Sequence, residues 1–202
     1  MSYMETKRIF DVIFSIPVMI VLSPLILIVI IAIKIESRGP AFFKQKRVGI
    51  YKSHFDILKF RTMREDTPKD IPTHLLENPA QYITKVGKFL RMSSLDELPQ
   101  IINVFKGDMS VIGPRPALWN QSDLIKERDK YGVNDVLPGL TGWAQINGRD
   151  ELPIEVKAKL DGEYVKRMGL KTDILCFIGT IVRVLKGTGI VEGGNRVEEN
   201  RE

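Results

Sequence analysis

From Val12 to Ile33 the chain carries 22 residues without a charge, VIFSIPVMIVLSPLILIVIIAI. As one continuous helix this run would reach about 33 Å, enough to cross the hydrocarbon core of a bilayer. Beyond it the pattern shortens to a period of two. GPAFFKQKRVG and SHFDILKFRTM alternate apolar and polar residues around Gly49, which predicts short strands or an irregular hairpin at the membrane surface. Helical spacing returns at Val86–Arg91, and again from the serine pair Ser93-Ser94 to Lys106, with Pro99 in the first turn and Gly107 as the stop. ELPIEVKAKLDGEYVKRM predicts another helix, ended near Gly169. In KTDILCFIGTIVRVLKG, residues Ile174, Leu175, Ile178, Ile181, Val182 and Leu185 fall on one stripe, suited equally to a core or to the surface of a bilayer. Between Glu65 and Tyr82 the chain is polar and carries Pro68, Pro72 and Pro79, a surface loop or lid; the tail after Gly187 is rich in glycine and charge. There is no internal repeat.

The long apolar run has three readings. A secretory signal is disfavoured because the run exceeds a usual apolar core and no small-residue cleavage site follows. A spanning helix is disfavoured by charge: Lys7 and Arg8 lie on one flank, and Lys34, Arg38, Lys44, Lys46 and Arg47 on the other, so the positive-inside bias draws both ends to the cytoplasm. A re-entrant helix-break-helix hairpin meets both demands, with its break at Ser23-Pro24, where proline removes a helical hydrogen bond.

Composition adds less. Thirty Lys and Arg against 25 Asp and Glu leave a net charge of +5, which favours an anionic partner. The single cysteine, Cys176, excludes an intrachain disulfide and a cysteine-rich metal site. His54 and His74 lack neighbours at metal-ligand spacing and read as surface or packing residues.

The candidate chemistry begins with two adjacent acids. In SSLDELPQ, Ser93–Gln100, the S-x-x-E spacing of Ser94 and Glu97 makes a capping box, with Asp96 and Glu97 at a positive helix start. GPRP, Gly113–Pro116, holds Arg115 between two prolines, which restrain the backbone and present a guanidinium suited to a bidentate grip on phosphate. PGLTGWAQINGR, Pro138–Arg149, packs three glycines among Trp143, Gln145, Asn147 and Arg149, and such a loop can bring backbone amides close to a phosphate. Lys59 and Arg61 in LKFRTM, and Arg91, add cations. Taken singly, each is explained by capping, a rigid turn or a solvated surface. Acids and restrained cations together suit a metal-bound diphosphate better than nucleic acid, for which no module appears.

The order of the apolar hairpin, FKQKRVG, LKFRTM, LRMSSLDELPQIINVFKGDMSVIGPRP and PGLTGWAQINGR resembles the monotopic polyprenyl-phosphate phosphoglycosyl transferases, the bacterial sugar transferase family, over roughly residues 5 to 190. The resemblance implies an α+β, mostly helical fold: a re-entrant membrane hairpin over 1–36, a compact cytoplasmic catalytic domain with interfacial amphipathic helices over 37–187, and a tail over 188–202. It implies transfer of a sugar phosphate from a UDP-sugar to undecaprenyl phosphate at the cytoplasmic leaflet of the bacterial inner membrane, with release of UMP and with Mg²⁺ as cofactor. Under it Asp96 is the nucleophile that forms a covalent phosphosugar intermediate. Glu97 is its metal or acid–base partner, and both acids are metal ligands. Lys59, Arg91, Arg115, Gln145, Arg149, Asp161 and Asp173 are substrate-binding positions. Nucleic acid is not an expected partner, and a homo-oligomer is left open. The rival from another class is a non-catalytic basic scaffold bound to anionic lipid. Neither the sugar nor the glycan pathway can be read from the residues.

Overall fold

A computed structural model describes residues 3–67, 79–148 and 152–186. The chain opens with α1 (Tyr3–Glu36), followed by β1 (Phe42–Val48), β2 (His54–Phe60), α2 (Lys85–Met92), α3 (Gln100–Lys106), β3 (Ser110–Ile112), α4 (Ser122–Asp129), β4 (Gly139–Thr141), α5 (Trp143–Asn147), α6 (Ile154–Lys166) and α7 (Leu170–Lys186). The fold is α+β and mostly helical, as expected. Among the described residues α1 is the one helix long and apolar enough to cross a membrane.

The break expected at Ser23-Pro24 is not there: α1 runs as one helix through both residues. Pro24 lacks the N–H that would bond to the Ile20 carbonyl four residues earlier, and the Ser23 hydroxyl donates to that same carbonyl at 2.8 Å. Each end of the helix is bolted to the body by charge. Arg8 donates to the carbonyls of Val104 (2.5 Å) and Phe105 (2.7 Å) at the end of α3. Lys7 and Tyr3 donate to Asp173 Oδ2 on α7. The Asp11 carboxylate accepts from the Val111 amide at 3.0 Å. At the far end Glu36 accepts from the Lys85 and Val86 amides, the free donors at the start of α2. Arg61, expected as a site cation, instead donates to the Ser37 and Arg38 carbonyls just past α1.

Between these bolts one stripe of α1 at helical spacing, through Asp11, Ser15, Val18, Met19, Leu25, Val29 and Ile33, faces the body. Its second half packs with Ala41, Phe60 and Leu90, and Val18 and Met19 pack with Ile57, Ile101, Val104 and Met109. The opposite face leaves Phe10, Ile13, Ile20, Val21, Ile28 and Ile35 exposed. Helix α7 repeats the arrangement: Asp173 and Cys176 are buried, whereas Ile174, Leu175, Ile178, Ile181 and Val182 point outward. At these five positions the stripe read from the sequence is therefore not core; the side chain of its sixth member, Leu185, lies outside what is described. Phe14 and Phe177 join the two outward faces edge to face, with ring centroids 6.3 Å apart.

The expected hairpin is present. β1 and β2 pair antiparallel from Phe42↔Phe60 to Val48↔His54, and the Phe42 and Phe60 rings stack at 5.5 Å. A second, parallel pair, β3 with β4, went unpredicted, because strands of three residues are too short to show alternation.

Candidate active site

The stretch that carries the acids does not form one helix. Ser94 adopts a left-handed conformation (φ 56°) and makes no capping hydrogen bond; Leu95–Glu97 is a single 3-10 turn, and α3 begins only at Gln100, behind Pro99. The capping box is absent because the Glu97 carboxylate is engaged elsewhere. Its Oε1 accepts from Lys59 Nζ and from Arg115 Nη2, each at 2.7 Å, and its Oε2 accepts from Arg115 Nη1 at 3.4 Å. Burial by itself would raise the Glu97 pKa, but the charges and hydrogen bonds of Arg115 and Lys59 together outweigh it and hold the carboxyl well below the ordinary range.

Asp96 experiences the opposite balance. Among the described residues its carboxylate makes no hydrogen bond. Burial pushes its pKa up, the charge of Glu97 adds to the rise, and Lys59, Arg91 and Arg115 pull against it without reversing it. Two adjacent carboxyls are thus driven apart: one clamped and ionised, the other desolvated, unclamped and ringed by positive charge. Such divergence marks carboxyls with different chemical roles.

Three segments deliver the cations. Lys59 stands on β2, in register with Phe43. Arg91 stands on α2, where its Nε donates to Thr62 Oγ1 at 2.9 Å. Helix α2 sits close to that threonine because Gly87 has no side chain: a Cβ there would lie 2.0 Å from the Thr62 carbonyl oxygen. Arg115 comes from the GPRP turn, which the glycines of PGLTGW hold. A Cβ on Gly139 would meet the Gly113 nitrogen at 2.1 Å, and one on Gly142 the Gly113 oxygen at 2.1 Å. Gly113 N donates to Thr141 O and Gly139 N to Pro114 O, each at 2.8 Å. The amides of Gly113 and Gly139 are therefore spent on each other's loop, not presented to a phosphate.

Asp161 and Asp173, expected at the substrate, are inside the protein. Asp161 is buried against Arg128, whose Nε and Nη2 donate to its Oδ2 at 3.0 and 2.6 Å. Asp173 accepts from Tyr164, Tyr3 and Lys7 and fastens α7 to the start of α1. Gln145 has both amide atoms buried without a partner among the described residues, beside Gly142 and not on Glu97. Arg149 lies outside the described residues. Two contributors were missed in the sequence: Thr62, which steadies Arg91, and Arg128, whose Nη2 donates to the Arg115 carbonyl at 2.9 Å. Arg128 sits in the charged run KERDK and reads there as solvated surface. The available signal is its i+4 spacing from buried Leu124.

Among the described residues no three His, Cys, Asp or Glu side chains converge on a metal position. Both Glu97 oxygens already accept from cations, so Asp96 is the carboxylate with capacity for a metal. A divalent ion held by one carboxylate and by substrate phosphates, as Mg²⁺ commonly is, fits that donor set.

The family model described as bacterial sugar transferase matches residues 2–187. The chain is 39% identical over 187 residues to the uncharacterized sugar transferase EpsL of Bacillus subtilis, covering 93% of this chain and 91% of that protein. It is 38% identical over 190 residues to the UDP-glucose:undecaprenyl-phosphate glucose-1-phosphate transferase of Xanthomonas campestris, covering 91% of this chain and 39% of that protein. It is also 35% identical over 195 residues to the UDP-N-acetylgalactosamine-undecaprenyl-phosphate N-acetylgalactosaminephosphotransferase of Aeromonas hydrophila, covering 93% and 45%.

Proposed function

The chain belongs to the bacterial sugar transferase family, and from that premise we propose that it transfers a sugar 1-phosphate from a UDP-sugar to undecaprenyl phosphate at the cytoplasmic face of the bacterial membrane, an early step of polysaccharide or other glycoconjugate synthesis. The observation that carries the reading is the split pair, Glu97 clamped by Lys59 and Arg115 and, beside it, Asp96 with no hydrogen bond among the described residues.

In the first step an Asp96 carboxylate oxygen attacks the phosphorus that bears the sugar. The bond from that phosphorus to the bridging oxygen breaks, and UMP leaves with the electron pair. In the second step a phosphate oxygen of undecaprenyl phosphate attacks the same phosphorus and expels the Asp96 carboxylate, giving undecaprenyl diphosphate sugar. Little covalent help is needed beyond positioning and charge. Lys59, Arg91 and Arg115 reduce the repulsion between an anionic nucleophile and an anionic diphosphate, and desolvation strips Asp96 of the water that would blunt it. Glu97 keeps Lys59 and Arg115 in place without competing for phosphorus. Mg²⁺, when bound with the donor at Asp96, supplies further positive charge to the diphosphate. Using one pocket in turn lets a soluble donor and a lipid acceptor share a nucleophile.

The exposed apolar faces of α1 and α7 support seating at the membrane. The bolts at both ends of α1 hold both ends on the side of the body, which supports a monotopic seating on one leaflet with the unbroken helix lying along the protein. The sugar is open: relatives at 38% and 35% identity carry names with different sugars.

The test is incubation of purified protein with a panel of UDP-sugars, undecaprenyl phosphate and Mg²⁺, with UMP and lipid-linked product assayed, and mass spectrometry of donor-treated protein. UMP release with a phosphosugar adduct on the Asp96 peptide is expected. Full turnover with no adduct under rapid quench would remove the covalent route, and no turnover with any donor would remove the reading.

A further inference from the structure

We infer that Arg128 is a positioning residue for Arg115: a buried ion pair with Asp161 fixes its guanidinium, and the guanidinium fixes the backbone that presents Arg115 to Glu97. The inference rests on the transferase reading for its kinetic consequence, and on geometry alone for its structural one.

The turn around Arg115 is tied to its neighbours largely through its carbonyls, since Pro114 and Pro116 have no N–H to donate. Pro114 O accepts from Gly139 N at 2.8 Å, Pro116 O from Arg47 Nη1 at 3.1 Å, and Ala117 O from Val48 N at 3.0 Å. The carbonyl of Arg115 itself accepts from Arg128 Nη2 at 2.9 Å. That nitrogen carries two protons, and its second one goes to Asp161 Oδ2, which also takes the Nε proton. Every one of these bonds is compatible with the fork of a single planar guanidinium.

Burial makes the arrangement expensive, and so informative. The Arg128 and Asp161 side chains are 5% and 1% exposed. A buried ion pair is weak evidence for stability, since an apolar pair of similar volume often serves as well; in this protein what it supplies is a defined geometry. Here α6 provides the anion, α4 the cation, and the beneficiary is the one backbone carbonyl belonging to the residue that grips Glu97. A lysine at 128 would keep the charge opposite Asp161 but could not span both acceptors with a rigid fork.

The experiment uses the full chain in detergent or nanodiscs. Arg128→Lys is expected to lower kcat/KM for the UDP-sugar by about 10- to 100-fold, the scale of a catalytic group displaced by about an ångström. In an Arg115→Ala background the same substitution is expected to cost almost nothing more, because its effect passes through Arg115. Amide hydrogen exchange at residues 115, 117 and 118 is expected to quicken. Unchanged kinetics and unchanged exchange in Arg128→Lys would overturn the proposal, as would a full, additive loss in the Arg115→Ala background. Should Arg128→Lys fold poorly, the pair Arg128→Met with Asp161→Leu removes both charges together. It is expected to melt near the wild type yet remain slow, and wild-type turnover in that variant would overturn the proposal. If the unmodified protein releases UMP from no donor, the transferase reading falls, while the exchange at 115–118 still decides whether Arg128 holds the turn.

Discussion

Asp96 and Glu97 are neighbours in sequence with opposite electrostatic fates, and substitutions at the two should diverge accordingly. A carboxyl whose pKa is raised in the folded state destabilises that state once ionised. Asp96→Asn is therefore expected to raise the melting temperature at pH 7 while reducing UMP release by about 10³-fold or more. A residue that merely capped a helix would do the reverse, losing stability and sparing activity. Glu97 has a lowered pKa, so its contribution to stability is present above its ordinary value of 4.5 and is lost as the pH falls below it. Glu97→Gln is expected to cost about 2 kcal/mol at neutral pH by weakening the hold on Lys59 and Arg115. Its stability should also fall less steeply than the wild type's below pH 4.5, measured by thermal melts across pH. The resemblance pointed to these two residues. Their division of labour was illegible, because S-x-x-E predicts a cap just as well and only the distant Lys59 and Arg115 decide against it.

At the scale of elements, long rhythms were readable and short ones were not. The apolar run of α1, the alternation of β1 and β2, and the stripe of α7 each span enough residues to show a period, whereas β3 and β4 do not. The direction of a stripe was also hidden: on α7 the apolar residues face out because Asp173 and Cys176 take the inner side, a choice made by Tyr3, Lys7 and Tyr164. The glycines of PGLTGW read as phosphate-cradling and prove, with Gly113, to be packing surfaces between two loops. Gly142→Ala should therefore push those loops apart, costing about 2 kcal/mol and slowing UMP release through a displaced Arg115. Differential scanning fluorimetry beside the UMP assay checks both. Asp161 and Asp173 show the converse case, acids that the resemblance assigns to the substrate and whose neighbours place them in the interior.

For the whole molecule, the question is how the apolar faces of α1 and α7 meet lipid. In the monotopic reading both ends of α1 lie on one side, the side of the body to which they are bolted. Met4→Cys and Arg38→Cys, at exposed positions in the first turn of the helix and just past its end, are then both expected to react with an impermeant maleimide applied from the cytoplasmic side, and protection of one would favour a spanning helix. Cys176 gives no background, since it is fully buried and burial pushes its thiol up to about 12. The stripe that α1 lays against the body has a practical consequence. Phe60, Leu90, Ile101 and Met109 are kept dry by residues of that helix, so starting the polypeptide at Arg38 would strip the lid from its own interior. Such a shortened chain should be recovered as aggregate, not as a soluble enzyme, and whatever amphiphile surrounds α1 during purification completes the shell that keeps water from the rest of the protein.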